Sequence, residues 1–478
     1  MDQTVSEYQS IVDLAARIRK GDLSSQQLVA HCVSRIEALD GKLNAFHLLC
    51  KDKALEQARF ADQALRSGND LGILHGIPYA AKDLFDVKGL PTAAGARLLE
   101  KNIAEKDSRV IRKLNRAGMI LLGKTNTVQF AFSGVGINHD HGTPHNPWSR
   151  QHHLPGGSSS GSGVAVAAGM VPMALGTDTG GSVRVPASVC GTVGLKTTVG
   201  RISRAGVYPL SWTLDSIGML TRTVEDTALV YQCVHGADVD DESTCGLAPQ
   251  DVLKELKGGV SGIRMAFVES VFFDKVHPEV EKAVRECGKV FEALGAQVSR
   301  IELPEAREAL QLNPGGVIIA SEGYVVNKLW LEEHFDELDP VVAHRMIKGK
   351  DITAETYMQT CYAAKQLRAK VGNTLQNVDI LLVPTTPVPA QPIIEVDTTL
   401  ENYLEHNALY LRNTSIGNVL NMCGLSIPCG LTKDGFPIGL LIYGKPFQED
   451  VVLRAGYAYQ QATDWHKRFP DLSWIVNA

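Results

Sequence analysis

The 478-residue sequence has no CxxC pair, no HExxH and no uncharged apolar run near the ~20 residues that a membrane-spanning helix needs. The longest candidate, Val164–Gly176, is too short and is broken by Pro172, so no membrane association is expected. Positive charge is not in excess either. Lys and Arg number 47 against 53 Asp and Glu, a formal net charge of −6, whereas a nucleic-acid surface would call for a basic stripe. The nine cysteines are odd in number and irregularly spaced, which fits reduced thiols better than a disulfide frame. The opening MDQTVSEYQSIVDLA lacks the basic-then-apolar order of a signal peptide, and a cytoplasmic protein is expected. The fourteen histidines show no ligand spacing. His139, His141, His145, His152 and His153 gather before a glycine-rich run and read as loop residues. No metal and no cofactor are expected.

What the chain does have is concentrated in LPGGSSSGSGVAVAAGMVPMALGTDTGGSVRVPASVCGTVGLK, from Leu154 to Lys196. Two clusters of glycine and hydroxyl residues, Gly156–Gly163 and Gly176–Ser182, flank an uncharged run rich in Ala and Val. Glycine lets the backbone approach another group closely, and serine supplies a nucleophile or a small donor. A Gly/Ser stretch by itself would read as a linker. Here it runs straight into an apolar segment, expected to bury as one core element that holds both clusters still. Cys190 lies nearby without a neighbouring base and reads as small core filler.

The remainder alternates between helix and strand. Helices are expected over residues 9–20, from Ser24 (a capping box with Gln27), over 51–67, 107–118, 223–235 and 277–294. Strands are expected over 72–82, 119–123, 262–268, 296–301, 378–384 and 438–444, with 201–220 as loop and turn. The composition, 44% hydrophobic and 21% charged, is that of a globular chain. The expected fold is one α/β domain over 1–478, with a mixed, largely parallel sheet covered by helices on both faces. A signature block spans about 72–220, and a helical cover over the cleft about 302–376.

One strand end stands out. The apolar run Gly72–Lys82 finishes on a lysine, and burial lowers a lysine's pKa and frees the neutral amine. No histidine lies in either glycine cluster and no nucleophile-elbow context is evident, which argues against a Ser-His-Asp triad.

The pattern GGSS-x-GS, then GTDTGGSVRVPA, with an upstream GIPYAAKD, resembles the amidase signature family across nearly the whole chain. The resemblance implies a Ser–Ser–Lys triad of Lys82, Ser158 and Ser182, with a cis peptide before Ser158. The one small departure is Ser160, where the family usually has glycine. On this reading Ser182 attacks an amide carbonyl, and Thr179, Gly180 and Gly181 supply the oxyanion hole. Lys82, brought from ~10.4 in water to ~7–8, takes the proton through Ser158. Arg184 is the expected cationic neighbour. Phe132 and Ser133, in the stretch 124–135 at the pocket mouth, are candidate substrate contacts, as is Arg345, whose guanidinium matches a carboxylate.

The expected activity is hydrolysis of a small carboxylic or urea-derived amide through an acyl-enzyme, on a free-standing chain, with a homodimer left open. Two alternatives stand beside it: the A subunit of a tRNA-dependent amidotransferase supplying ammonia from glutamine, and a non-catalytic scaffold. In the pattern of that amidotransferase component, a carboxylate lies seven positions before the asparagine matching Asn418. Here that position is Leu411, followed by Arg412.

Overall fold

The protein is described by a computed structural model covering residues 7–313 and 316–476. Its strands are β1 (Phe46–Leu49), β2 (Pro78–Lys82), β3 (Ile120–Thr125), β4 (Met173–Asp178), β5 (Val193–Lys196), β6 (Ser216–Thr221), β7 (Arg264–Val268), β8 (Gln297–Ile301), β9 (Ile380–Pro384), β10 (Cys423–Leu431) and β11 (Pro437–Gly444). They form a single mixed sheet in the order β1-β3-β2-β4-β6-β5-β10-β11-β9-β7-β8. Among the described residues the parallel pairings are β2 with β3 and β4, and β7 with β8 and β9. Crossover geometry therefore belongs to two separate units, which antiparallel strands join. Helices flank the sheet.

The central strands are buried along their whole length, β2, β3, β4, β5 and β6 without exception. That burial explains what the sequence pattern concealed. A strand covered on both faces has no polar alternation, so β6 sits inside the expected loop 201–220. β1 at the sheet edge was likewise not expected. The apolar run between the glycine clusters is two elements rather than one. It forms the helix Ser160–Ala167, then turns at Gly169 (φ +66) and Pro172 into β4. A left-handed glycine and a proline end a helix for different reasons, one by its backbone and one by its missing N–H.

Residues 302–376 hold the helices Pro304–Leu312, Val317–Glu333, Pro340–Met346 and Ala354–Thr374. The second and third of these share an apolar cluster with the loops after β2 and β3. It brings Ala320, Tyr324, Val342 and Met346 against Leu84, Phe130, Phe132 and Leu210. A long helix, Leu400–Val419, precedes β10 and was not expected over most of its length. It runs beside the second glycine cluster: Thr414 Oγ1 donates to Gly180 O at 2.7 Å, and Leu411 packs on Gly181 and on Gly134 in the loop after β3.

Candidate active site

Lys82 is the last residue of β2, and its side chain is fully buried. Its Nζ lies 2.7 Å from Ser158 Oγ and 2.9 Å from Thr177 Oγ1. Burial pulls the lysine down to about 7, working against the raising influence of Asp215 and Asp178. Two other buried lysines serve as a contrast. Lys124 Nζ is 2.7 Å from Asp83 Oδ1, and Lys196, held at about 8 mainly by burial, donates to the carbonyls of Thr197 and Met422. Only Lys82 of the three meets a serine hydroxyl.

Ser158 follows a cis peptide from Gly157. Its carbonyl accepts from Thr127 Oγ1 at 2.8 Å and from Val128 N at 3.3 Å, which ties the first glycine cluster to the loop after β3. The second cluster leaves the end of β4. Ser159 N donates to Ser182 O at 3.1 Å, setting the two serine-bearing segments side by side. Ser182 is 4% exposed, and its hydroxyl has no protein partner among the described residues. The N–H groups of Gly180, Gly181 and Ser182 likewise donate to no protein acceptor among them. Gly181 has φ +147, and a Cβ there would clash with Thr414 Oγ1, so glycine is required on both backbone and steric grounds.

Arg184 does something other than what the sequence led us to expect. It is not placed to lower Lys82. Its Nε and Nη2 grip the two oxygens of Asp178 at 3.0 and 2.9 Å, and Nη2 also donates to Asn418 Oδ1 at 2.6 Å. Burial would raise the Asp178 carboxyl, but Arg184, Lys196 and Asn418 hold it down to about 2. Asp178 also accepts from Val183 N at 3.1 Å, so a buried ion pair brackets the turn 178–184 that carries Ser182. Thr177, Asp178 and Asn418 were not singled out in these roles, because nothing in residue spacing says which polar groups face each other across a sheet.

The remaining candidates fall around this centre. Thr179 Oγ1 donates to Asp215 Oδ1 at 2.6 Å. Ser133 Oγ accepts from Tyr403 OH at 2.7 Å and donates to Asn407 Oδ1 at 3.0 Å, so its hydroxyl straps the loop to the Leu400–Val419 helix. Gly157 N donates to Gly134 O at 2.7 Å, bringing 132–134 against the segment before Ser158. Arg345 stacks over the Phe132 ring at 4.2 Å and donates to the Phe132 carbonyl, and no carboxylate among the described residues pairs with it. Arg412 points elsewhere, donating to the carbonyls of Phe272 and Asp274. Ser160 is buried with an unpartnered hydroxyl.

The profile of the family described as Amidase matches residues 27–453. The chain belongs to the amidase family. Among its relatives, 2-amino-5-chloromuconic acid deaminase of Comamonas testosteroni is 38% identical, over 92% of this chain and 93% of that one. The A subunit of the glutamyl-tRNA(Gln) amidotransferase of Chromohalobacter salexigens is 35% identical, over 96% and 98%. The structure of 6-aminohexanoate cyclic dimer hydrolase complexed with substrate superposes with a TM-score of 0.89 at 25% identity, covering 98% of this chain and 100% of that one. These findings support an amide-hydrolysing enzyme. No helix among the described residues is long and apolar enough to cross a membrane.

Proposed function

We propose that this amidase hydrolyses the C–N bond of a small linear amide through an acyl-enzyme on Ser182. The observation that carries the reading is the contact of a fully buried Lys82, held near 7, with the Ser158 hydroxyl. Near neutral pH such an amine is free to accept a proton. Ser158 passes the proton of Ser182 to Lys82 as Ser182 Oγ attacks the carbonyl carbon. The unpartnered N–H groups around Gly180 and Gly181 receive the oxyanion. The proton then returns by the same path to the leaving nitrogen as the C–N bond breaks, and water repeats the sequence on the ester.

Two side chains support an anionic or neutral substrate. Arg345, beside Phe132 and in no ion pair among the described residues, is suited to clamp a substrate carboxylate in a bidentate fork. A relative named for a muconic acid substrate agrees with that chemistry. Leu411 presents an apolar wall against Gly134 and Gly181, where an α-ammonium would find no partner. We therefore favour a free-standing amidase over a glutamine-fed component of a larger complex. Comparing kcat/KM for succinamic acid, butyramide and glutamine on the purified chain tests this. Succinamic acid is expected to lead, and Arg345→Met to erase its advantage over butyramide. Glutamine as the best of the three would contradict the reading.

A further inference from the structure

The helical region reaches the serine-bearing turn through one buried carboxylate. Glu322, on the helix Val317–Glu333, is 3% exposed and forms no ion pair among the described residues. A buried carboxylate without a cation is costly unless hydrogen bonds saturate it, and here they do. Oε2 accepts from the Ser211 hydroxyl and from Thr213 N at 3.1 Å. Oε1 accepts from the Thr213 hydroxyl and from Tyr357 OH at 2.5 Å. Ser211 and Thr213 belong to the turn 210–215, which also wraps Asp215. Leu210 N and Ser211 N each donate to Asp215 Oδ2 at 2.9 Å, and Asp215 Oδ1 takes the Thr179 hydroxyl at 2.6 Å. A second tether, Tyr208 OH to Asn327 Oδ1 at 2.8 Å, anchors the stretch before that turn to the same helix. Thr414 holds this segment from the Leu400–Val419 helix, through Gly180 O and against Gly181, and the Thr179–Asp215 hydrogen bond ties it to the 210–215 turn.

We propose that Glu322 is a positioning residue that, through the 210–215 turn, Asp215 and the Thr179 hydroxyl, fixes the Gly180–Ser182 donors for the transition state. The proposal rests on the serine-amidase reading above. Donors aimed at developing charge act on the reacting state far more than on the encounter complex. Loosening them should slow the chemical step and leave binding alone.

Phosphonylation by a fluorophosphonate probe reads this without a known substrate. The Ser182 Oγ–P bond forms as the P–F bond breaks, fluoride leaves with the bonding pair, and the serine proton passes through Ser158 to Lys82. Glu322→Gln keeps the shape of the side chain and its hydroxyl neighbours. It is expected to lower kinact by about tenfold with KI within about twofold of wild type. Asp215→Asn should lower kinact as well, and the double variant should fall no further than Asp215→Asn alone. Tyr357→Phe removes a single donor and should give a drop of about threefold, which keeps the test decisive if Glu322→Gln does not fold. Wild-type kinact in any of the three single variants that folds, or a loss in the Glu322→Gln/Asp215→Asn double equal to the product of its singles, would overturn the proposal. A wild-type chain left unlabelled at Ser182 would overturn the serine-amidase reading and this proposal with it.

Discussion

At the residue scale the proposed chemistry turns on Lys82. Its burial was legible because a lysine closing an apolar run is drawn into the core, where solvation of the charge is lost. Burial lowers it as expected and outweighs the two carboxylates that raise it, whereas the expected cationic neighbour, Arg184, is committed to Asp178. The sign of the pH dependence follows. As the proposed base, Lys82 works only as the neutral amine, so kcat/KM should climb with pH through about 7. On the acid side it should fall by about tenfold per pH unit. A pH profile flat from 5 to 9 would contradict a lysine base. Lys82→Ala and Ser158→Ala should each cost several orders of magnitude, and because they share one proton path the double variant should lose far less than the product. Measured kcat for both singles and the double checks this, and multiplicative losses would argue for separate roles.

The element that matters most is the turn from Asp178 to Arg184. Its glycines and serine were readable from the sequence. Its bracket was not, since Asn418 comes from a helix more than two hundred residues later. Arg184→Met should therefore leave Asp178 buried without its cation and cost about 3–5 kcal/mol. This would be read as a lower denaturant midpoint, and an unchanged midpoint would contradict the bracketing role. Gly181→Ala tests the same turn more locally. With φ +147 and Thr414 Oγ1 in the way of the added carbon, the segment must shift, and loss of one aligned donor typically costs ~10²–10³ in kcat. Wild-type kcat in that variant would show that the segment does not need its present path. Of the strands the sequence did not mark, β1, β4, β5, β6 and β10, the first and fourth have a common cause. Short strands without a polar face carry no period to detect, and their place is fixed only by the neighbours they pair with.

At the scale of the whole molecule, the sheet brings together groups from far along the chain. Lys82 ends β2, Ser182 follows β4, and the Leu400–Val419 helix brings Leu411 and Thr414 against the second glycine cluster. Family and fold could be reached from the central block, because its small residues are demanded by close backbone approach. The proposed substrate contacts could not, since Arg345 meets Phe132, and Leu411 meets Gly134 and Gly181, only after folding. Leu411→Asp is accordingly expected to raise kcat/KM for glutamine and lower it for succinamic acid, and no change in that ratio would show that Leu411 does not set specificity. The most direct measurement of the central claim is peptide mapping by mass spectrometry after fluorophosphonate treatment of wild type and Ser182→Ala. A single adduct on the peptide bearing Ser182, absent from the variant, is predicted; an adduct that persists in Ser182→Ala would contradict the assignment of the nucleophile.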